Sequence, residues 1–265
     1  MNRRWKGAAA ALMTAAALTV PAWGASVEAN GQPLTAEQGW IKDGTSYMTL
    51  RALAQHSDYE LTWDGSRAWL RGEDLELSAR PGDLYILSND RALYVEGGVQ
   101  VVDGKLTLPL RVVAAATGGS LGWNAKTATA SLGLTGASAP QADYDEEDLY
   151  WLSRIISAES RGEPLIGQIA VGNVVLNRVA NGQFPDTIKD VIFDTKYAVQ
   201  FEPVANGTVY NEPAQSSILA AKMTLEGARV VGDCLYFFAP ALSEGTWIVN
   251  NRTYYTTIGA HDFYL

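Results

Sequence analysis

Glu159 stands where a helix ordinarily carries an apolar side chain. Asp145-Glu146-Glu147-Asp148 suits the positive end of a helix dipole, and Leu149, Leu152, Ile155 and Ile156 follow at helical spacing. Three residues further the same stripe reaches Glu159, just before Gly162 and Pro164 end the element. Burial disfavours a charged carboxyl, and so does the negative end of a helix, so this position predicts a raised pKa. A carboxyl that holds its proton near neutral pH is what acid-catalysed cleavage of a glycosidic bond requires. Pairing with Arg161 or Arg178 would instead make Glu159 a structural ion, and position alone leaves both readings open.

Other reactive types can be ranked against it. Glu163 lies too near along the same helix end to face the opposite side of a sugar, and is expected to cap or ion-pair at the start of the next helix. Glu202 belongs to an irregular, aromatic-flanked loop with Tyr197, Gln200, Phe201 and Asn206, the kind of segment where binding residues gather. Arg252 and Tyr254 are further candidates for contact with a glycan or its peptide, in a stretch where 247–249 and 254–257 predict a hairpin about Asn250-Asn251. Asp233-Cys234 with His261 downstream offers a thiol-dependent peptidase as a rival reading. The following Leu235-Tyr236-Phe237-Phe238 predicts a buried strand and hence an inert sulfur, and His261 is assigned a structural role.

The elements that must hold these residues fall into two halves. Pro164 opens a second helix to Val179 that is apolar nearly all round, with Asn173 and Asn177 as buried hydrogen-bonders. A chain of 265 residues has length for two domains. Arg3, Arg4 and Lys6, an apolar run from Ala8 to Val20 and the small residues around Trp23 predict an export signal over residues 1–24, too short to span a bilayer. Its removal takes the formal charge from −9 to −12, which disfavours nucleic acid and anionic lipid as partners. A single cysteine and two distant histidines argue against a disulfide or a catalytic zinc, and the reading calls for no metal and no cofactor.

An offset of 60 residues brings two blocks of the N-terminal half into register. Ile41-Lys42-Asp43-Gly44 meets Val101-Val102-Asp103-Gly104, Leu50-Arg51 meets Leu110-Arg111, and Leu61-Thr62-Trp63-Asp64 meets Leu121-Gly122-Trp123-Asn124. Each unit reads as a strand, an Asp-Gly turn, a strand, a short helix and a strand, with Trp63 and Trp123 as packing residues. The division expected is a β-rich domain at 25–134, a linker at 135–144 and a catalytic domain at 145–265.

The repeat resembles the copper amine oxidase N-terminal-like stalk domain, a likeness that implies no metal here because His56 stands alone in its unit. The second half resembles the SleB family of cell-wall hydrolases. The likeness lies in Ile156-Ser-Ala-Glu159, Gly167 through Arg178, Phe184-Pro185, Gln200 through Gly207, Leu235 through Pro240 and Ile258 through Phe263. It implies an α+β, lysozyme-like, mainly helical domain with Glu159 as acid/base. It also implies cleavage between N-acetylmuramic acid and N-acetylglucosamine, as a lytic transglycosylase giving 1,6-anhydromuramoyl products, in wall remodelling or spore cortex lysis. Two rival readings are a muramidase- or glucosaminidase-type hydrolase and a glycan-binding protein without activity. The implied partner is peptidoglycan outside the membrane, with no protein partner indicated. Spore enzymes of that family often carry a peptidoglycan-binding module where this chain carries the repeat.

Overall fold

The computed structural model describes residues 26–196 and 200–265. The export-signal reading and Tyr197 lie outside them. The first half opens with β1 (Ser26–Ala29) and β2 (Gln32–Pro33), then the first unit: β3 (Gly39–Lys42), β4 (Thr45–Thr49), α1 (Leu50–Gln55) and β5 (Glu60–Trp63). A meander follows of β6 (Ala68–Arg71), β7 (Glu76–Ala79), β8 (Tyr85–Ser88) and β9 (Arg91–Tyr94). The second unit is β10 (Gln100–Val102), β11 (Lys105–Pro109), α2 (Leu110–Thr117) and β12 (Ser120–Asn124), closed by β13 (Thr129–Gly133). In both units the Asp-Gly pair forms a two-residue hairpin turn. Asp43 and Gly44 have φ of 49° and 76°, and Asp103 and Gly104 of 49° and 71°, the left-handed pair that a type I′ turn demands.

The duplication explains how this domain makes a core. β4 and β11, equivalent strands, pair antiparallel in one sheet of order β10-β11-β4-β3, and Met48, Leu108, Leu50 and Leu110 are buried about that junction. Trp63 and Trp123 depart from the packing role expected of them: they are 55% and 59% exposed. Each lies on an edge strand, β5 in the order β5-β6-β7-β8-β9 and β12 in the order β12-β13-β1-β2, where no further strand covers it.

The second half is mainly helical. Its elements are α3 (Glu146–Ser160), α4 (Leu165–Val179), α5 (Ile188–Ile192), α6 (Glu202–Asn206), α7 (Gln215–Leu225), β14 (Tyr236–Phe238), α8 (Thr246–Asn251), β15 (Tyr254–Ile258) and β16 (His261–Tyr264). The Asp145 carboxylate caps α3 by accepting from the Glu147 N–H at 2.7 Å. Leu152, Ile155 and Ile156 on α3 are fully buried against α4 and α7. Gly172 lets these helices meet closely, since a Cβ there would lie 2.8 Å from Thr224 Oγ1 and 3.0 Å from Ile156 Cδ1. Asn173 donates to Ala228 O and accepts from the Val230 N–H, and Asn177 donates to Gly232 O and Cys234 O, so both stitch the loop after α7 to α4.

The hairpin is displaced from its expected place. Residues 246–251 form α8, and β15 pairs instead with β16 through a turn at Gly259-Ala260. Glu163 holds that turn: its carboxylate accepts from the Ala260 N–H at 2.8 Å. Gly259, at φ 60°, leaves the space this carboxylate occupies. The two halves also share a surface. Arg91 forms a two-pronged ion pair with Glu226 at 2.8 and 2.6 Å, and Ala92 is fully buried within the apolar cluster of the helical half. Among the described residues no helix is long and apolar enough to cross a membrane.

Candidate active site

A cleft of about 680 Å³ opens at the C-terminal end of α3. Glu159 lies in its wall, on the face of α3 that buries Leu152, Ile155 and Ile156 one and two turns earlier. The buried stripe thus runs out into the cleft, and the last side chain on it is a carboxyl. Lost hydration raises the Glu159 pKa from 4.5 to about 7, the charge of Glu202 adds to the rise, and Arg178 opposes it. Among the described residues no group donates a hydrogen bond to this carboxyl, and the charge of Arg178 alone favours its ionised form.

Arg178 enters from α4 as the cation behind the site. It is buried at 5% exposure, donates from Nε to Leu235 O at 2.8 Å, and lies over the rings of Phe184 and Phe201, each 5.1 Å from the guanidinium carbon. Burial lowers its pKa to about 10, which leaves it charged. Among the described residues its Nη1 has no partner and no carboxylate pairs closely with it. The rings thus support the charge.

The loop predicted to bind substrate does reach the cleft. Gln200, Phe201, Glu202 and Asn206 all line it. Phe201 is buried at 2% and backs the wall, whereas Glu202 is exposed at the start of α6. Asn206 accepts from the Thr208 N–H and hydroxyl, which orders the turn below the site. Arg252 and Tyr254 are not among the cleft residues. Arg252 donates to the Tyr236 hydroxyl at 2.9 Å and lies over Trp247, and the Tyr254 hydroxyl bonds that of Thr257 on the same strand.

Sequence reasoning missed several cleft residues. Arg154 and Ser157 on α3 and Arg161 at its C-cap form a polar stripe, about one turn apart, and that spacing was the available signal. Phe237 and Phe238 read as core but face the cleft because β14 is its rim. His261 also lies in the wall, buried, edge-on to Phe237 at 5.4 Å, and its Nδ1 has no partner among the described residues. Burial lowers its pKa, so the ring is neutral near neutral pH. Cys234 is fully buried and its thiol is pushed up to about 11, which removes the thiolate a peptidase needs.

Comparison with known proteins follows the same division. The family model described as Cell Wall Hydrolase matches residues 162–264, and the Copper amine oxidase N-terminal domain matches 28–132. Among the described residues no three His, Cys, Asp or Glu side chains gather as a metal ligand set. The spore cortex-lytic enzyme of Bacillus cereus is 35% identical over 128 residues, covering 48% of each chain. That of Bacillus subtilis is 32% identical over 120 residues, 45% of this chain and 38% of that protein. The cell wall hydrolase CwlJ of Oceanobacillus iheyensis is 30% identical over 103 residues, 37% of this chain and 72% of that protein. The solved catalytic domain of the germination-specific lytic transglycosylase SleB from Bacillus anthracis is 34% identical, with a TM-score of 0.43, and covers 48% of this chain and 100% of that one. The chain spans about half the length of the spore cortex-lytic enzyme it matches in Bacillus cereus. The family match begins three residues past Glu159, so the assignment of this acid rests on the cleft itself. Through its C-terminal half the chain belongs to the cell wall hydrolase family, preceded by a copper amine oxidase N-terminal-like domain.

Proposed function

We propose that the protein cleaves the glycan strand of peptidoglycan between N-acetylmuramic acid and N-acetylglucosamine as a lytic transglycosylase, acting outside the membrane after export. The observation that carries this is a cleft with one carboxyl poised to give and take a proton near neutral pH, Glu159 at about 7. In the first step protonated Glu159 donates to the glycosidic oxygen, and the C1–O bond breaks with departure of the N-acetylglucosamine hydroxyl. The muramoyl C1 is left as an oxocarbenium ion, which the negative charges of Glu159 and Glu202 favour. Glu159, now a carboxylate, takes the proton from the C6 hydroxyl as O6 closes onto C1. The 1,6-anhydro ring forms, no water is consumed, and the acid is restored.

A hydrolase is the second reading, favoured by one observation: Glu202 lies in the same cleft, near enough for its charge to act on Glu159. Hydrolysis uses a second carboxylate, either to activate a water opposite the leaving group or to attack C1 before water does. Mass spectrometry of the soluble products separates the two readings. Anhydromuropeptides, lighter by one water, support the transglycosylase, and reducing-end products support the hydrolase. Glu159→Gln keeps the shape and removes the transferable proton, with an expected rate loss of about 10²–10⁴-fold. Lysis by that variant at the parent rate refutes the assignment. Whether vegetative wall or spore cortex is attacked is read from the same products with each as substrate.

A further inference from the structure

A second groove, of about 470 Å³, lies in the N-terminal domain between α1, the edge strand β5 and the β10–β11 hairpin. Its walls are apolar, from Leu61, Leu106, Val101 and the indole of Trp63. Trp63 is 55% exposed and Val101 52%, so large apolar surfaces are left in water at the groove mouth. Leaving an indole half in water forgoes much of the stabilisation that burial would give, and apolar patches kept at that expense mark binding sites.

The charged side chains that line the groove are both cationic. Arg51 and Lys105 line it and no Asp or Glu does, in a chain whose formal charge is −9. Lys105 is ion-paired at 2.8 Å with Glu37, whose carboxylate is 80% exposed, and an exposed pair of this kind yields readily to another anion. Arg51 is exposed on α1. An aromatic face beside two cations is complementary to a sugar ring with an anionic peptide attached to it.

We propose that this groove is a non-catalytic subsite for the muramoyl glycan of peptidoglycan, with Trp63 stacking on a pyranose face and Arg51 and Lys105 meeting the carboxylates of the stem peptide. The proposal rests on the peptidoglycan reading of the helical half and gives the repeat domain the part of holding the enzyme on its polymer. Trp123 holds the equivalent place in the second unit and is 59% exposed, but it does not line this groove, which makes it an internal control.

The test uses the full-length Glu159→Gln chain, so that binding is read without cleavage, in co-sedimentation with purified wall stripped of its phosphate polymers. Trp63→Ala in that background is expected to weaken binding about tenfold, and Arg51→Glu to weaken it with a steeper loss at low salt, both with an unchanged melting temperature. Trp123→Ala is expected to bind like its parent. Unchanged binding by both Trp63→Ala and Arg51→Glu overturns the subsite. So does an equal loss in Trp123→Ala, which would mean general apolar adhesion, and so does sedimentation only with wall that keeps its phosphate polymers. Soluble fragments released by Glu159→Gln itself would refute the catalytic assignment instead, and are counted separately from bound protein.

Discussion

At the scale of single residues, Glu159 turns on the competition between hydration and charge. Removing water raises its pKa, Glu202 raises it further, and Arg178 opposes without reversing the shift. Two consequences follow with definite sign. The folded protein holds the Glu159 proton more tightly than the unfolded chain, so the stability this proton brings is complete below about 4.5 and is lost as pH rises through about 7. Glu159→Gln, which cannot ionise, should therefore be more stable than the parent at pH 8.5, by roughly 1–3 kcal/mol, and nearly equal to it at pH 4. Urea midpoints at the two pH values measure this, and equal differences at both would refute the raised pKa. Catalysis should lose rate as pH rises above about 7, when the acid is no longer protonated at the start of the cycle. Arg178→Gln should move that alkaline limb upward, because a cation that favours the ionised form has gone. A pH–rate profile of lysis reads the shift.

Elements decide how close that carboxyl comes to its neighbours. α3, α4 and α7 meet about Gly172, where a Cβ would lie 2.8 Å from Thr224 Oγ1 and 3.0 Å from Ile156 Cδ1. Both contacts are with side chains already buried, so neither can swing into solvent. Gly172→Ala should thus destabilise by about 1–3 kcal/mol despite the better helix propensity of alanine, as chemical denaturation would show. The first two helices of the second half and the Asp-Gly hairpins were legible because each announces itself locally, through an acidic first turn, an opening proline, an apolar period of 3.6 or a two-residue turn. What was not legible depended on neighbours. Whether Trp63 is core or surface depends on β5 being an edge strand, and no residue within β5 reports that. The hairpin was misplaced because Tyr254–Ile258 finds its partner after Gly259, where the turn is held by Glu163, 97 residues away along the chain. The cleft was half legible for the same reason. Glu159 and the loop at 200–206 carry local signals, while Arg178 and His261 become cleft residues only when α4 and β16 fold beside α3.

Across the whole molecule, the two halves are joined by more than their linker. Arg91 and Glu226 meet through two hydrogen bonds with side chains only 11% exposed, and Arg91 also donates to Ala115 O at 2.8 Å within its own domain. Lys222 on α7 donates to Asp90 O at 2.7 Å, and β9 packs along the same helix. α7 in turn packs on α3 and α4, so a short mechanical path leads from the repeat domain to the helix that ends at Glu159. The domains should therefore unfold in one transition. Arg91→Met strands the Glu226 carboxylate without its partner and should destabilise by about 3–5 kcal/mol, since the loss of one member of a buried pair leaves a charge with neither water nor counter-ion. Arg91→Met with Glu226→Met removes both charges and should recover most of that loss, because apolar side chains of similar volume pack where the pair stood. Calorimetry decides the matter. A single endotherm in the parent, lowered in the single variant and restored in the double, is the outcome of a shared interface. Two endotherms, with only the first one moved by Arg91→Met, would mean that the repeat domain merely hangs from its linker and that α7 stands without it.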